Sequence, residues 1–435
     1  MTETLFKAKP RIGIFLANHP FQSHTLNAAT LFARAGYEVD IFLYKTHNYV
    51  DYSQPGSEKG VYLHDLTPLG KRCPPVFNRE PLACADEKEI KTKKKVSLFR
   101  RFIRLARFIY VPWFKFRDGY PVIPFNLTRR ALRILGKGNY RCVIGVEKRG
   151  LIWASRVAAR LDVPYLYHSL ELFTSDFQQV FFKNSLSFRH ILSCEAQAHR
   201  GALATIIQDE DRARVLFAEN GVILTKHNAL YVPVGTMGAV VRDHSDFISS
   251  RFGIPSTHCV IQYFGEISRA RFCDDLAKVA QQFPSNWVLV MHGQQIPPDF
   301  GNTILKLDVK HKVVLSLDPV DDACLAKVVS AADIGLAFYS PRTLNEQLTA
   351  FSSEKVALYA QCGVPCVAFD YPGFRKLATE EGCGIVIKDL DELPAAIKTI
   401  MANYNSYREN AFRAFDKYYR YDVQFAKVIQ CVDRL

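Results

Sequence analysis

No run of 18 or more apolar residues occurs in this sequence, so nothing in it reads as a membrane-spanning helix. Its first residues, MTETLFKAKPRIGIFLANHPF, lack the arrangement of a signal peptide. The apolar stretch Ile12–Ala17 is too short to span and reads as a buried first strand. The 11 cysteines include no C-x-x-C pair. Their odd number and wide scatter argue for reduced thiols in a cytosolic protein, against a disulfide framework or a zinc site. The first β-α-β unit has no G-x-G-x-x-G, which disfavours dinucleotide binding at that end. There is no repeat of solenoid period, and no low-complexity tract beyond one lysine cluster.

What is present is a chain of 435 residues, 48% hydrophobic and 23% charged, which fits a globular protein of two domains. The net charge of +13 is concentrated: Lys88 to Arg117 holds eleven Lys or Arg against the single acid Glu89. The remainder is close to neutral, so a general affinity for nucleic acid is not needed to explain the total. If this segment is helical from about Val96, Arg100, Arg104 and Arg107 share one face. Phe99, Phe102, Ile103, Ala106, Ile109 and Trp113 cover the other. Such a helix suits an anionic membrane surface, and a core-packed helix with a solvated basic face gives the same pattern.

Along the chain, RIGIFLA, the polar loop NHPFQSH, the helix TLNAATLFARAG and the strand YEVDIFLYK make a Rossmann-type opening. Further apolar strands are expected at Cys142–Val146, Pro164–His168, Thr205–Gln208 and Tyr231–Val234. Gly235 and Gly238 then interrupt the pattern, which places a first domain over 1–235. A second alternating series runs through Val260–Phe264, Trp287–His292, Val313–Leu315 and Ile334–Phe338, giving a domain over 246–405 and a final helix over 406–435. Strands alternating with helices at this spacing imply an α/β protein with parallel sheets.

The stretch around residues 330–370 is the richest. Strand Ile334–Phe338 ends in a polar loop, Ser352-Ser353 opens a helix that stops at Gly363, and strand Pro365–Phe369 follows. Serines at a helix start leave main-chain N–H groups facing outward, where the helix dipole favours an anion, and Lys355 adds a charge in the first turn. An ordinary capped helix has the same local sequence. The order "strand, loop, Ser-x-x-Lys helix, Gly-x-Pro, strand" resembles the C-terminal half of retaining glycosyltransferases of family 4, the glycosyl-transferases group 1.

The resemblance covers most of the chain. It implies the GT-B fold: two Rossmann-like domains facing across a cleft, with the C-terminal helix crossing back to the N-terminal domain. It implies a nucleoside diphosphate sugar as co-substrate on the C-terminal domain, no cofactor or required metal, and a glycan or lipid-linked acceptor on the other side. In YFGEISRARF, Gly265 permits close ligand approach, and Arg269 and Arg271 can neutralise a diphosphate. By resemblance, Arg271 best matches the family's basic residue, and His292, Gly293, Pro319 and Val320 stand where the donor is approached. Glu346 and Glu354 have the spacing of the family's two acids but not their register. The expected positions hold Ala350 and Leu358, so Glu354 is only a possible substitute.

On the N-terminal side, Asn18, His19 and His24 follow the first strand as acceptor-binding candidates. His168 and Glu171 follow another strand and are candidates for assisting deprotonation of an acceptor hydroxyl. Each is also an ordinary structural polar residue by type. Asp209-Glu210-Asp211 reads as a loop or helix start rather than a metal site. The expectation is a retaining, metal-independent glycosyltransferase on the inner face of a membrane. A sugar-nucleotide epimerase and a non-catalytic binding protein on the same fold are the alternatives.

Overall fold

The computed structural model describes residues 9–18, 21–45, 59–67, 122–136, 138–172, 186–321 and 324–435. His19 and the basic segment with Arg100, Phe102, Arg104, Arg107 and Trp113 lie outside them.

Two parallel sheets organise the chain. The first contains β1 (Arg11–Ala17), β2 (Glu38–Tyr44), β3 (Val61–Asp65), β4 (Tyr140–Val146), β5 (Tyr165–His168), β6 (Ala204–Ile207) and β7 (Asn228–Tyr231), in the order β3-β2-β1-β4-β5-β6-β7. The second contains β8 (Cys259–Phe264), β9 (Trp287–His292), β10 (Val313–Ser316), β11 (Ile334–Ala337), β12 (Cys366–Phe369) and β13 (Gly384–Ile387), in the order β10-β9-β8-β11-β12-β13. The helices that bear on the site are α1 (Ser23–Arg34), α2 (Glu147–Leu161), α3 (Glu210–Glu219), α4 (Cys273–Ala280), α5 (Leu344–Gln347), α6 (Glu354–Gln361), α7 (Tyr404–Ala414) and α8 (Tyr421–Asp433).

Period-two alternation sorts each central strand between two cores. In β1, Phe15 and Ala17 join Phe42, Trp153 and Tyr167 on the α2 side. Ile12, Ile14 and Leu16 join Phe32, Ile41 and Val146 on the α1 side. Burial on both faces explains why the central strands are so apolar. The edge strand β3, VYLHD, is half exposed and has no comparable signature, which is why the sequence pattern passes over it.

The expected strand Tyr231–Val234 is displaced. The ladder takes Asn228–Tyr231, while Val232 and Val234 are buried beyond it, with the Val234 N–H donating to Phe351 O at 2.9 Å. Val232 still donates its N–H to Ile207 O of β6 at 2.7 Å, whereas Val234 turns to the C-terminal half, so its apolarity marks burial at the crossing between the sheets. The C-terminal helix is likewise two helices. After α7 a wide turn at Phe415–Tyr419 leads to Arg420 in extended backbone, and α8 restarts at Tyr421.

The break has a physical cause. Thr236 pairs alongside Arg420: its N–H donates to Tyr419 O at 3.1 Å, and its carbonyl accepts from Tyr421 N at 3.0 Å. A Cβ on Gly235 would stand 1.9 Å from Tyr419 O, so only glycine allows the two crossings to touch. Beyond the break, Tyr421, Phe425, Val428 and Val432 bury themselves in the α1-side core of the first sheet. The last helix thus returns to the N-terminal sheet. The cysteines among the described residues are all unpaired. No helix among those residues is long and apolar enough to cross a membrane.

Candidate functional site

The site forms where the C-terminal ends of the second sheet meet the first. Ser353 is the N-cap of α6: its hydroxyl accepts from the Val356 N–H at 3.3 Å and lies 2.6 Å from Tyr339 Oη. That leaves the main-chain N–H groups of Glu354 and Lys355 without intrahelical acceptors, as at any helix start. The Lys355 side chain is buried beside them. Its Nζ lies 3.9 Å from the Tyr263 ring centroid and 5.3 Å from that of Tyr339. Among the described residues no carboxylate is within ion-pair distance of it. Burial pushes its pKa down to about 7, and the nearby Arg271 charge acts in the same direction.

Arg271 comes from the loop after β8. Its Cζ is 5.1 Å from the Tyr339 ring centroid, so Tyr339 lies beside two cations. Nη1 donates to Glu346 Oε1 at 2.8 Å. Lys355, Arg271 and the α6 amides are therefore brought together, whereas Arg269 is not among them. It is 77% exposed and pairs with Asp274 at 3.0 Å. An electropositive corner of this kind suits an anion rich in oxygen acceptors.

The glycines shape the floor. Gly293 has φ +143° and a Cβ there would fall 1.9 Å from Gly265 O, so the turns ending β8 and β9 pack backbone to backbone. A Cβ on Gly265 would lie 3.4 Å from Lys355 Cε, which puts that turn against the lysine. His292, buried, stacks on Phe264 with centroids 5.7 Å apart and has Nδ1 2.9 Å from Ser316 Oγ. Burial lowers its pKa. Pro319 is exposed, and Val320 packs against the apolar cluster that also holds Leu358. Leu358 itself is 5% exposed, in the core between α6 and the sheet.

Across the cleft, α1 begins opposite α6. Ser23 Oγ donates to Glu354 Oε1 at 3.5 Å, and His24 is buried with no partner for Nδ1 among the described residues. Burial lowers the His24 pKa, and Glu354 partly opposes this. Asn18 ends β1 in left-handed backbone (φ 51°) and is exposed. His168 is buried at the end of β5. Glu171 is half exposed, and its Oε2 accepts from Asn345 Nδ2 at 2.6 Å. Ser352 does not turn to the α6 corner: its Oγ accepts from Arg212 Nη1 of the N-terminal half at 3.2 Å. Arg212 and Asn345 carry no local sequence signal for this junction, since the bonds that join the two halves link residues more than a hundred apart. Among the described residues no three His, Cys, Asp or Glu side chains group as metal ligands.

Comparison with known proteins bears on the fold. Residues 260–403 match the family model "Glycosyl transferases group 1". No curated protein matches the chain by sequence. Among solved structures, sucrose-phosphate synthase from Thermosynechococcus elongatus is 14% identical at TM-score 0.67, over 98% of this chain and 99% of that one. HepE from Anabaena in complex with UDP-glucose is 12% identical at TM-score 0.63, over 98% and 100%. WaaG, a glycosyltransferase involved in lipopolysaccharide biosynthesis, is 14% identical at TM-score 0.55, over 97% and 98%. At such identities the likeness is one of fold. The described residues have the GT-B fold, and residues 260–403 match the glycosyl transferases group 1 model.

Proposed function

We propose that the protein transfers a sugar from a nucleoside diphosphate sugar to an acceptor hydroxyl, with retention at the anomeric carbon. The observation carrying this reading is the placement of Lys355 and Arg271 beside Tyr339 at the start of α6. In the step, the bond from anomeric carbon to diphosphate oxygen breaks, and one to the acceptor oxygen forms. Negative charge grows on the departing diphosphate, where the two cations and the α6 amides stabilise it. The acceptor proton passes to a base. His24, buried and without a partner for Nδ1 among the described residues, is the group on the N-terminal side best suited to receive it. His168 is a second candidate, while Glu171 is engaged by Asn345.

One observation favours a second reading. Leu358 is buried in apolar surroundings where the resemblance expects an acid, which suits a protein that binds the nucleotide sugar without turnover. Thermal shift against UDP-, GDP-, ADP-, CMP- and dTDP-linked sugars tests both readings. Stabilisation by one nucleotide class is expected, and stabilisation by none overturns them together. Sugar transfer to added acceptors, or only binding, then separates the two.

The acceptor is proposed to be a glycan or lipid-linked species at the cytoplasmic face of a membrane, on the strength of the basic aromatic segment around Arg100, Arg104 and Arg107. Co-sedimentation with vesicles containing anionic phospholipid is the check. Binding that weakens with salt is expected; indifference to such vesicles removes the membrane assignment and leaves the transferase assignment intact.

A further inference from the structure

Arg212, the third residue of α3, is fully buried, with 0% side-chain exposure. A buried guanidinium is costly unless all its donors are met, and here they are met from both halves of the molecule. Within the N-terminal half, Nε donates to Gln208 Oε1 at 2.7 Å and Nη2 to Leu170 O at 2.7 Å. Toward the C-terminal half, Nη2 donates to Asn345 Oδ1 at 2.9 Å, and Nη1 to Leu348 O at 3.1 Å and Ser352 Oγ at 3.2 Å. The nearest carboxylate oxygen, on Glu171, stands 4.0 Å away. Asn345 completes the junction: its Oδ1 also accepts from Leu172 N at 3.0 Å and its Nδ2 donates to Glu171.

The segment held in this way is the one that builds the anion corner. Asn345 precedes Glu346, which holds Arg271 at 2.8 Å. Ser352 precedes Ser353, which caps α6 and bonds Tyr339. Arg212 therefore grips both ends of residues 345–352, and each grip is one residue from a wall of the corner. It touches neither Lys355 nor Arg271.

We propose that Arg212 is a positioning residue: by latching residues 345–352 to the N-terminal half, it fixes the juxtaposition of the two sheets and the shape of the diphosphate site. The latch rests on the structure alone, and its consequence for ligand rests on the functional reading above. Because the ligand passes no force through Arg212 directly, loss of the latch leaves the cations present but no longer convergent.

The test uses the full chain with Arg212→Met and Asn345→Ala, the second removing a half-buried side chain and serving if the first fails to fold. Hydrogen exchange reads the latch. The amides of Gln347, Leu348 and Ser352, which donate to Thr343 O, Leu344 O and Thr349 O, should exchange at least about tenfold faster in the variants, as expected for losing hydrogen bonds to a charged donor. Amides of β8 and β9 should stay as in wild type. Titration with inorganic pyrophosphate, which needs no base or sugar, reads the site. Affinity should fall about tenfold in both variants, a loss that a merely structural role would not produce while β8 and β9 stay protected. Unchanged exchange over residues 345–352 in Asn345→Ala overturns the latch. Faster exchange with unchanged pyrophosphate affinity overturns the positioning role. If wild type binds no pyrophosphate, the functional reading and the positioning role fall together, and the exchange data still decide the latch.

Discussion

Lys355→Met should weaken binding of the nucleotide sugar by about 10- to 100-fold, the range expected for a charge-assisted hydrogen bond removed from a buried site. Methionine nearly matches the lysine stem in volume, so the loss isolates the ammonium. The same substitution should stabilise the empty protein. Lys355 is buried against two tyrosine rings with Arg271 nearby and, among the described residues, no carboxylate at ion-pair distance, so its charge costs free energy until an anion arrives. Replacing such a group by an apolar one gains roughly 1–4 kcal/mol. The sign with pH follows from the ordinary value of 10.5 and the folded value of about 7. Between them the unfolded chain holds the proton on Lys355 and the folded chain does not, so the contribution of Lys355 to stability rises with pH from about 7 to 10.5. Below that window both states are protonated and the folded state bears the full cost. The difference between wild type and Lys355→Met in thermal melts should carry this slope, because the buried cysteines, whose pKa values burial raises, contribute alike to both. Ligand affinity runs the opposite way: binding draws a proton onto Lys355, so affinity should fall by up to about tenfold per pH unit above about 7. Calorimetry in buffers of different ionisation enthalpy measures that proton uptake. A Lys355→Met protein that binds as tightly as wild type would remove Lys355 from the site.

Lys355 could be singled out in the sequence because its chemistry is local, whereas the residues offered Arg269 and Arg271 alike and only the family resemblance preferred Arg271. Lys355 sits in the first turn of a capped helix, the two arginines in the loop after an apolar strand, and each falls at a strand's carboxyl end whatever the rest of the chain does. Central strands were legible for the same reason, since burial on both faces writes a continuous apolar run. What escaped depends on distant partners. Ser352 and Ser353 are adjacent in sequence and look alike, yet one caps α6 and the other accepts a hydrogen bond from Arg212, 140 residues earlier. Nothing local separates them. Glu346 has the spacing of a family motif in the wrong register, and only the fold brings it to Arg271. The apolar Val234 mimics a strand residue because burial at a crossing and burial in a sheet leave the same composition. The register departure at Leu358 was legible, and its burial gives it a physical meaning: that part of α6 faces the core, where an acid would be costly.

Gly293→Ala should be the most damaging single-methyl change in the C-terminal half. The residue has φ +143°, a conformation open almost only to glycine, and the added Cβ would sit 1.9 Å from the Gly265 carbonyl oxygen. Backbone cannot yield as the end of a flexible side chain can, so the turns after β8 and β9 must separate. Strain of about 1–3 kcal/mol from the dihedral adds to that displacement. A total near 3 kcal/mol or more is expected, lowering the Tm by roughly 2–4 °C per kcal/mol. Gly265→Ala is the informative partner. It shares the strained backbone (φ +126°), but its Cβ would meet the flexible end of Lys355, Cε at 3.4 Å and Nζ at 3.6 Å, at ordinary contact distance. It should melt above Gly293→Ala while still weakening anion binding, because its methyl occupies space beside the ammonium. In Gly293→Ala the anion affinity should fall as well, by a different route: the turn at Gly265 leads directly into the loop that carries Arg271, and moving one moves the other. Melts and pyrophosphate titrations of the two variants separate these effects. A Gly293→Ala protein that melts with wild type would mean the two turns are not in backbone contact, and the floor described for this site would have to be redrawn.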